Sequence, residues 1–195
     1  MACRHAGIAG VVRVSDIGAV LRVLDCGADG VLVPHVDSVE RAKAVVAAAR
    51  YRGGSRGFSN TTRAGHFGRT GMADHIAAQD RRVAVIAMIE DVQAIARIDE
   101  IAAVDGLDAF FIGRGDLTVA FEAESAASPD VVGAADAITA AAGRVGRKVF
   151  VMSGTPEDAK ALSEQGATGF IMASDQGFLR EGARSTLQRF SDALD

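Results

Sequence analysis

At 195 residues, 49% of them hydrophobic, the chain is long enough to bury one substantial core, and no apolar run approaches the ~20 residues of a membrane span, so no membrane partner is expected. A formal net charge of -4 gives no general attraction to a polyanion, which argues against nucleic acid as a partner. Cys3 and Cys26 are the only cysteines and have no metal-like spacing, so they exclude a disulfide scaffold and read as free thiols of a cytoplasmic protein.

Six short runs rich in Val, Ile or Phe read as strands: 10–14, 30–36, 83–89, 109–112, 149–152 and 169–172. Helical patterns alternate with them at 17–25, 38–49, 91–103, 131–142, 156–165 and 176–194. Local chemistry supports the boundaries. Thr155-Pro156-Glu157-Asp158 offers a capping hydroxyl, a proline for the first helical position and acids for the first turn. Gly27 and Gly166 each stand where a helix must stop before a strand begins. This rhythm predicts a single domain with a parallel sheet, either a (β/α) barrel or a doubly wound sheet. Two stretches interrupt it, the Gly- and Arg-rich 50–70 and the polar 121–130.

Two strands end in carboxylates. The 83–89 run leads directly into Glu90, and 109–112 leads through Gly113-Arg114-Gly115 to Asp116. The two acids are one strand-helix repeat apart, so neighbouring strand ends could hold one divalent cation between them, Mg²⁺ or Mn²⁺ by donor type. The competing explanation is that each acid caps or opens a helix. His35, after Pro34 at a strand end, could face the same site or be a polar strand-end residue; His66 and His75 have no partner at ligand spacing and read as surface residues. Gly113-x-Gly115 lacks the third glycine of a dinucleotide fingerprint.

The phrase IEDVQAIARIDEIAAVDGLDAFFIGRGDL resembles the metal-binding core of the HpcH/HpaI aldolase/citrate lyase family, in which a strand ending in I-E is joined to an F-I-G-x-x-D-L strand end. The likeness extends to GADGVLVPHVDSVERAKAVVAAARY, to SRGFSNTTRAG and to VVRV near the start. It implies a TIM (β/α)8-type barrel and a class II pyruvate aldolase that cleaves 4-hydroxy-2-oxo acids to pyruvate and an aldehyde through a metal-stabilised enolate. Glu90 and Asp116 resemble the metal ligands, with Mg²⁺ or Mn²⁺ expected and Co²⁺ a further candidate. Gly115 and Asp116 would receive the substrate carboxylate on their backbone amides, and Arg13 would face the keto oxygen. Asp25 resembles the aspartate that supports a catalytic histidine. The Arg/Gly stretch would lie over the barrel mouth, and the family implies a homo-oligomer.

The departures from the family pattern carry their own expectations. A barrel needs eight strands and six are found, so the first two β/α units are expected to be absent, with Met1 in what would be the second barrel helix. The Glu-His phrase of the family's catalytic histidine has no counterpart, since His5 is not preceded by Glu, and Met88 stands where relatives often have Gln. Two other functions stay open: an acyl-CoA lyase of the citrate lyase beta type, and an inactive remnant serving only for binding or oligomerisation.

Overall fold

The computed structural model describes residues 2–194, so Met1 lies outside the described residues, and a short helix begins at Ala2, beside the position where a helix is expected. The elements run α1 (Ala2–His5), β1 (Val11–Arg13), a 3-10 turn at Ile17–Ala19, α2 (Val20–Asp25), β2 (Gly30–Val33) and α3 (Val39–Ala49). A second 3-10 segment, Arg63–Gly68, precedes α4 (Met72–Arg82), β3 (Ala84–Ile89), α5 (Val92–Ile95) and α6 (Ile98–Ala102). Then come β4 (Ala109–Ile112), α7 (Arg114–Ala120), α8 (Pro129–Arg144), β5 (Lys148–Met152), α9 (Pro156–Glu164), β6 (Gly169–Ile171) and α10 (Asp175–Leu194). All six strands are parallel and pair in chain order, β1 to β6, with no switch point. That order excludes the doubly wound alternative, which reverses direction at its centre.

The alternation of side chains along each strand separates two apolar layers. Val31, Val33, Val85, Ala87, Ile89, Phe110, Ile112, Val149 and Val151 face the helices and form the main core with Leu24, Val45, Ile101 and Ile138. Leu32, Ile86, Met88, Ala109 and Phe111, joined by Phe150, form a second cluster on the opposite face. The sheet shields that second cluster by curling into a half-barrel. Gly169 belongs to this packing: a Cβ there would sit 2.3 Å from the Phe150 ring, so only glycine lets β6 approach β5.

Helix termini follow the sequence. Ser38 caps α3 by accepting from the Arg41 N–H at 3.3 Å, and Thr155 caps α9 by accepting from the Asp158 N–H at 3.2 Å. Three expectations change. The helix expected over 91–103 is interrupted at Ala96–Arg97 and forms α5 and α6. Residues 72–82 form α4, whose buried side chains are His75 and Gln79 rather than an apolar stripe, which is why apolar periodicity does not mark it. His75, expected at the surface, is only 1% exposed. Among the described residues, no helix is long and apolar enough to cross a membrane.

Candidate active site

In a β/α repeat the strand C-termini share one end of the sheet, and Glu90 and Gly113 emerge there side by side. Gly113 donates its N–H to the Ile89 carbonyl at 3.0 Å, extending the β3–β4 ladder by one step. A Cβ on Gly113 would lie 2.6 Å from Glu90 Cβ and 3.3 Å from Glu90 Oε2. The missing side chain therefore makes room for the glutamate carboxylate. One turn later, Asp116 lies in the first turn of α7, close enough to the Glu90 carboxyl to disfavour its ionisation.

Glu90 is 2% exposed, above the apolar layer that contains Met88 and Phe111. Its Oε1 accepts the His35 backbone N–H at 2.9 Å, whereas Oε2 is buried without a hydrogen-bond partner. Burial pushes the Glu90 carboxyl above the usual carboxylate range; the His35 N–H opposes this and the adjacent Asp116 reinforces it. Neither acid caps a helix: Asp91 holds the N-cap position of α5 and Gly113 that of α7. An unpaired buried carboxylate oxygen beside a second carboxylate is costly unless a cation or proton joins them. The residues present thus fit a hard divalent ion. Among the described residues, no three His, Cys, Asp or Glu side chains converge as a metal cage, so the pair would leave the other coordination positions to water and substrate, in the manner of Mg²⁺.

The backbone positions the pair through a tight bend after β2. His35 adopts φ 55, a left-handed conformation uncommon for a non-glycine residue, which turns its N–H toward Glu90. Val36 then resumes the ladder by donating to the Met88 carbonyl at 3.2 Å. The His35 ring is exposed at the rim, with Nδ1 3.2 Å from Asp91 Oδ2 and 3.3 Å from Glu90 Oε1. The sequence marks His35 only by its place after a strand and proline; nothing in it discloses the positive φ.

Arg13 ends β1 in register with Leu32, itself in register with Ile86, so it belongs to the row facing the barrel interior. It is exposed. Asp25 is not brought to the carboxylate pair. It closes α2, and a helix after a strand runs back toward the strand N-termini, so Asp25 stands at the opposite end of the sheet. There Asp25 Oδ1 accepts from Arg56 Nη2 at 3.1 Å. The Arg/Gly stretch shares that end, contrary to its expected place over the mouth. It leaves the end of α3 and leads into α4; Arg50 donates to the Val83 and Gly106 carbonyls, at the approaches to strands, at 2.6 and 3.3 Å, and Arg56 pairs with Asp25.

The whole chain has clear relatives. The HpcH/HpaI aldolase/citrate lyase family pattern matches residues 1–181. A 5-keto-4-deoxy-D-glucarate aldolase of Escherichia coli is 34% identical over 194 residues, taking in 97% of this chain and 75% of that enzyme. Among solved structures, an HpcH/HpaI aldolase/citrate lyase family protein from Burkholderia cenocepacia J2315 superposes with a TM-score of 0.90 at 28% identity, over 97% of this chain and 77% of that one. The citrate synthase SbnG gives 0.85 at 28% identity, over 98% and 76% respectively. With the sheet order, the matched pattern and the identity in agreement, the chain belongs to the HpcH/HpaI aldolase/citrate lyase family.

Proposed function

We propose that this chain is a divalent-metal-dependent carbon-carbon lyase that cleaves 4-hydroxy-2-oxo acids to pyruvate and an aldehyde. The observation that carries the reading is the buried, partnerless Oε2 of Glu90 next to Asp116. These two side chains would hold Mg²⁺ or Mn²⁺, with Co²⁺ also suited to oxygen donors. Such an ion supplies fixed positive charge where negative charge develops on the keto oxygen during cleavage. Arg13 would donate to that oxygen from the interior row, and its guanidinium stays charged throughout. The backbone N–H groups of Gly115 and Asp116 would receive the substrate carboxylate. Access there is open, since a Cβ at Gly115 would meet nothing within 4 Å. The apolar layer of Met88, Phe111 and Phe150 below the carboxylates would exclude water from the underside of the substrate. Asp25, paired with Arg56 at the other end, has no role in this arrangement within one chain.

The six β/α units would be the last six of an eight-unit barrel, in keeping with the three quarters of the aldolase relative that the chain spans. A homo-oligomer is supported by α10, a 20-residue helix with no buried residue, which leaves Leu179, Leu187, Phe190 and Leu194 exposed.

The test is Mn²⁺-dependent exchange of the pyruvate methyl protons with solvent, followed by NMR. The unaltered chain should catalyse it and Glu90→Gln should abolish it. Undiminished exchange in the variant, or none in the parent, overturns the proposal.

A further inference from the structure

The family pattern leaves the residue at 114 unspecified, yet here the Arg114 side chain spans two β/α units. Its Nη1 donates to Asp158 Oδ1 at 3.0 Å, and Nη2 donates to Asp158 Oδ2 at 2.7 Å and to the Met152 carbonyl at 2.7 Å. This is a two-pronged guanidinium-carboxylate contact with a third bond to the end of β5, a geometry that lysine cannot reproduce. The receiving side is held in turn. Thr155 caps the first turn of α9 through the Asp158 N–H, and Ser153, only 3% exposed, donates its Oγ to the Thr155 carbonyl at 3.0 Å. Arg114 is also the first residue of α7, and its own carbonyl accepts Thr118 Oγ1 at 2.7 Å.

That turn of α7 carries Gly115 and Asp116, and among the described residues the hydrogen bonds of Arg114 tie its start to the next β/α unit, while Leu117 behind it packs into the core. Its N-cap is Gly113, which has no side chain to bond the free N–H groups. What holds Arg114 therefore bears directly on where Asp116 stands relative to Glu90.

We infer that Arg114 is the positioning residue of the carboxylate pair: its bridge to Asp158 and the Met152 carbonyl fixes the first turn of α7, and with it the reach of Asp116 toward the ion that Glu90 shares. The inference rests on the proposed metal site and adds to it an arginine-aspartate strut from the next β/α unit. Residues that orient a metal ligand in this way typically alter affinity by about 10- to 100-fold when removed.

The experiment titrates Mn²⁺ into the protein without substrate and reads free and bound ion by electron paramagnetic resonance, with thermal unfolding of each metal-free variant as the control for folding. Arg114→Ala and Asp158→Asn should each weaken Mn²⁺ binding about 10- to 100-fold and broaden the bound-ion spectrum. Arg114→Lys should recover part of the affinity, because one contact to Asp158 can re-form. Glu90→Gln in the same titration separates the two levels of the argument. If Glu90→Gln loses binding while Arg114→Ala and Asp158→Asn bind as the parent does, the strut has no positioning role. If Glu90→Gln binds like the parent, the metal site itself is wrong. A loss in Arg114→Ala that Asp158→Asn does not share, accompanied by a lower unfolding temperature, also overturns the inference, since it reports only on folding.

Discussion

At the N-terminal ends of the strands, arginines close off backbone carbonyls; at the C-terminal ends, carboxylates gather with one oxygen left unsatisfied. Arg147 donates from Nε to the Ala102 carbonyl at 2.8 Å, from Nη2 to the Val104 carbonyl at 2.6 Å, and from Nη1 to the Leu107 carbonyl. It ties the end of α6 and the approach to β4 to the segment entering β5. Arg50 does the same for the approaches to β3 and β4. Arg56, whose side chain is fully buried, pairs with Asp25 through Nη2 and lies 4.4 Å over the Tyr51 ring, while its Nε and Nη1 are buried without a hydrogen-bond partner. At the other end, Glu90 Oε2 has no partner and His35 is held in a left-handed bend. One end thus ties down backbone carbonyls that the fold would otherwise strand, and the other keeps an unpartnered carboxylate oxygen beside a second carboxylate. Such a division is what a barrel with its chemistry on the strand C-termini requires.

Three measurements would break or sharpen this contrast. The largest effect is expected for Glu90→Gln, which should lose the stabilisation that Mn²⁺ gives the parent chain, seen as loss of the metal-induced rise in unfolding temperature. The same variant should be more stable than the parent when both are metal-free at neutral pH. The sign follows from burial: a carboxyl raised above its unfolded value contributes stability at acid pH that is lost as the pH rises through the folded value. A metal-free variant less stable than the parent would show that the carboxylate is structural.

Next, Arg147→Ala should destabilise the protein by roughly 2–4 kcal/mol in urea unfolding, because three carbonyls lose their donor, while leaving Mn²⁺ affinity unchanged. An affinity change would couple the two ends and erase the distinction. The smallest effect concerns His75, whose Nε2 lies 3.1 Å from the Tyr51 hydroxyl. Burial lowers its pKa, and the nearby Arg56 lowers it further. Its contribution is therefore present above about pH 6.5 and lost as pH falls through the lower folded value. Unfolding free energies between pH 5 and 8 should show this decline, and His75→Gln should flatten it. An unchanged slope would remove His75 as its source.

The strands were the most legible part of the molecule. Ala109–Ile112 matches its expected bounds, and the others differ by one to three residues at an end, because Val- and Ile-rich runs between glycine stops leave few alternatives. The carboxylate pair was legible as a spacing, since one β/α repeat places the two strand ends side by side. The Arg/Gly stretch lies away from the strand C-termini because it leaves the end of α3, and a helix that follows a strand ends near the strand N-termini whatever chemistry the next residues suggest. Helix α4 escaped notice because it buries His75 and Gln79. Arg114 could not be recognised as a strut, since its partner lies a full repeat away and no local pattern announces it.

Because the hold on Glu90 Oε1 comes from the main chain of His35, the identity of the side chain at position 35 is separable from ligand placement. Any residue that tolerates the bend, glycine and asparagine among them, would preserve that contact while changing what the rim presents to solvent. The rim can therefore change its chemistry at this position while the main-chain hydrogen bond to Glu90 is kept.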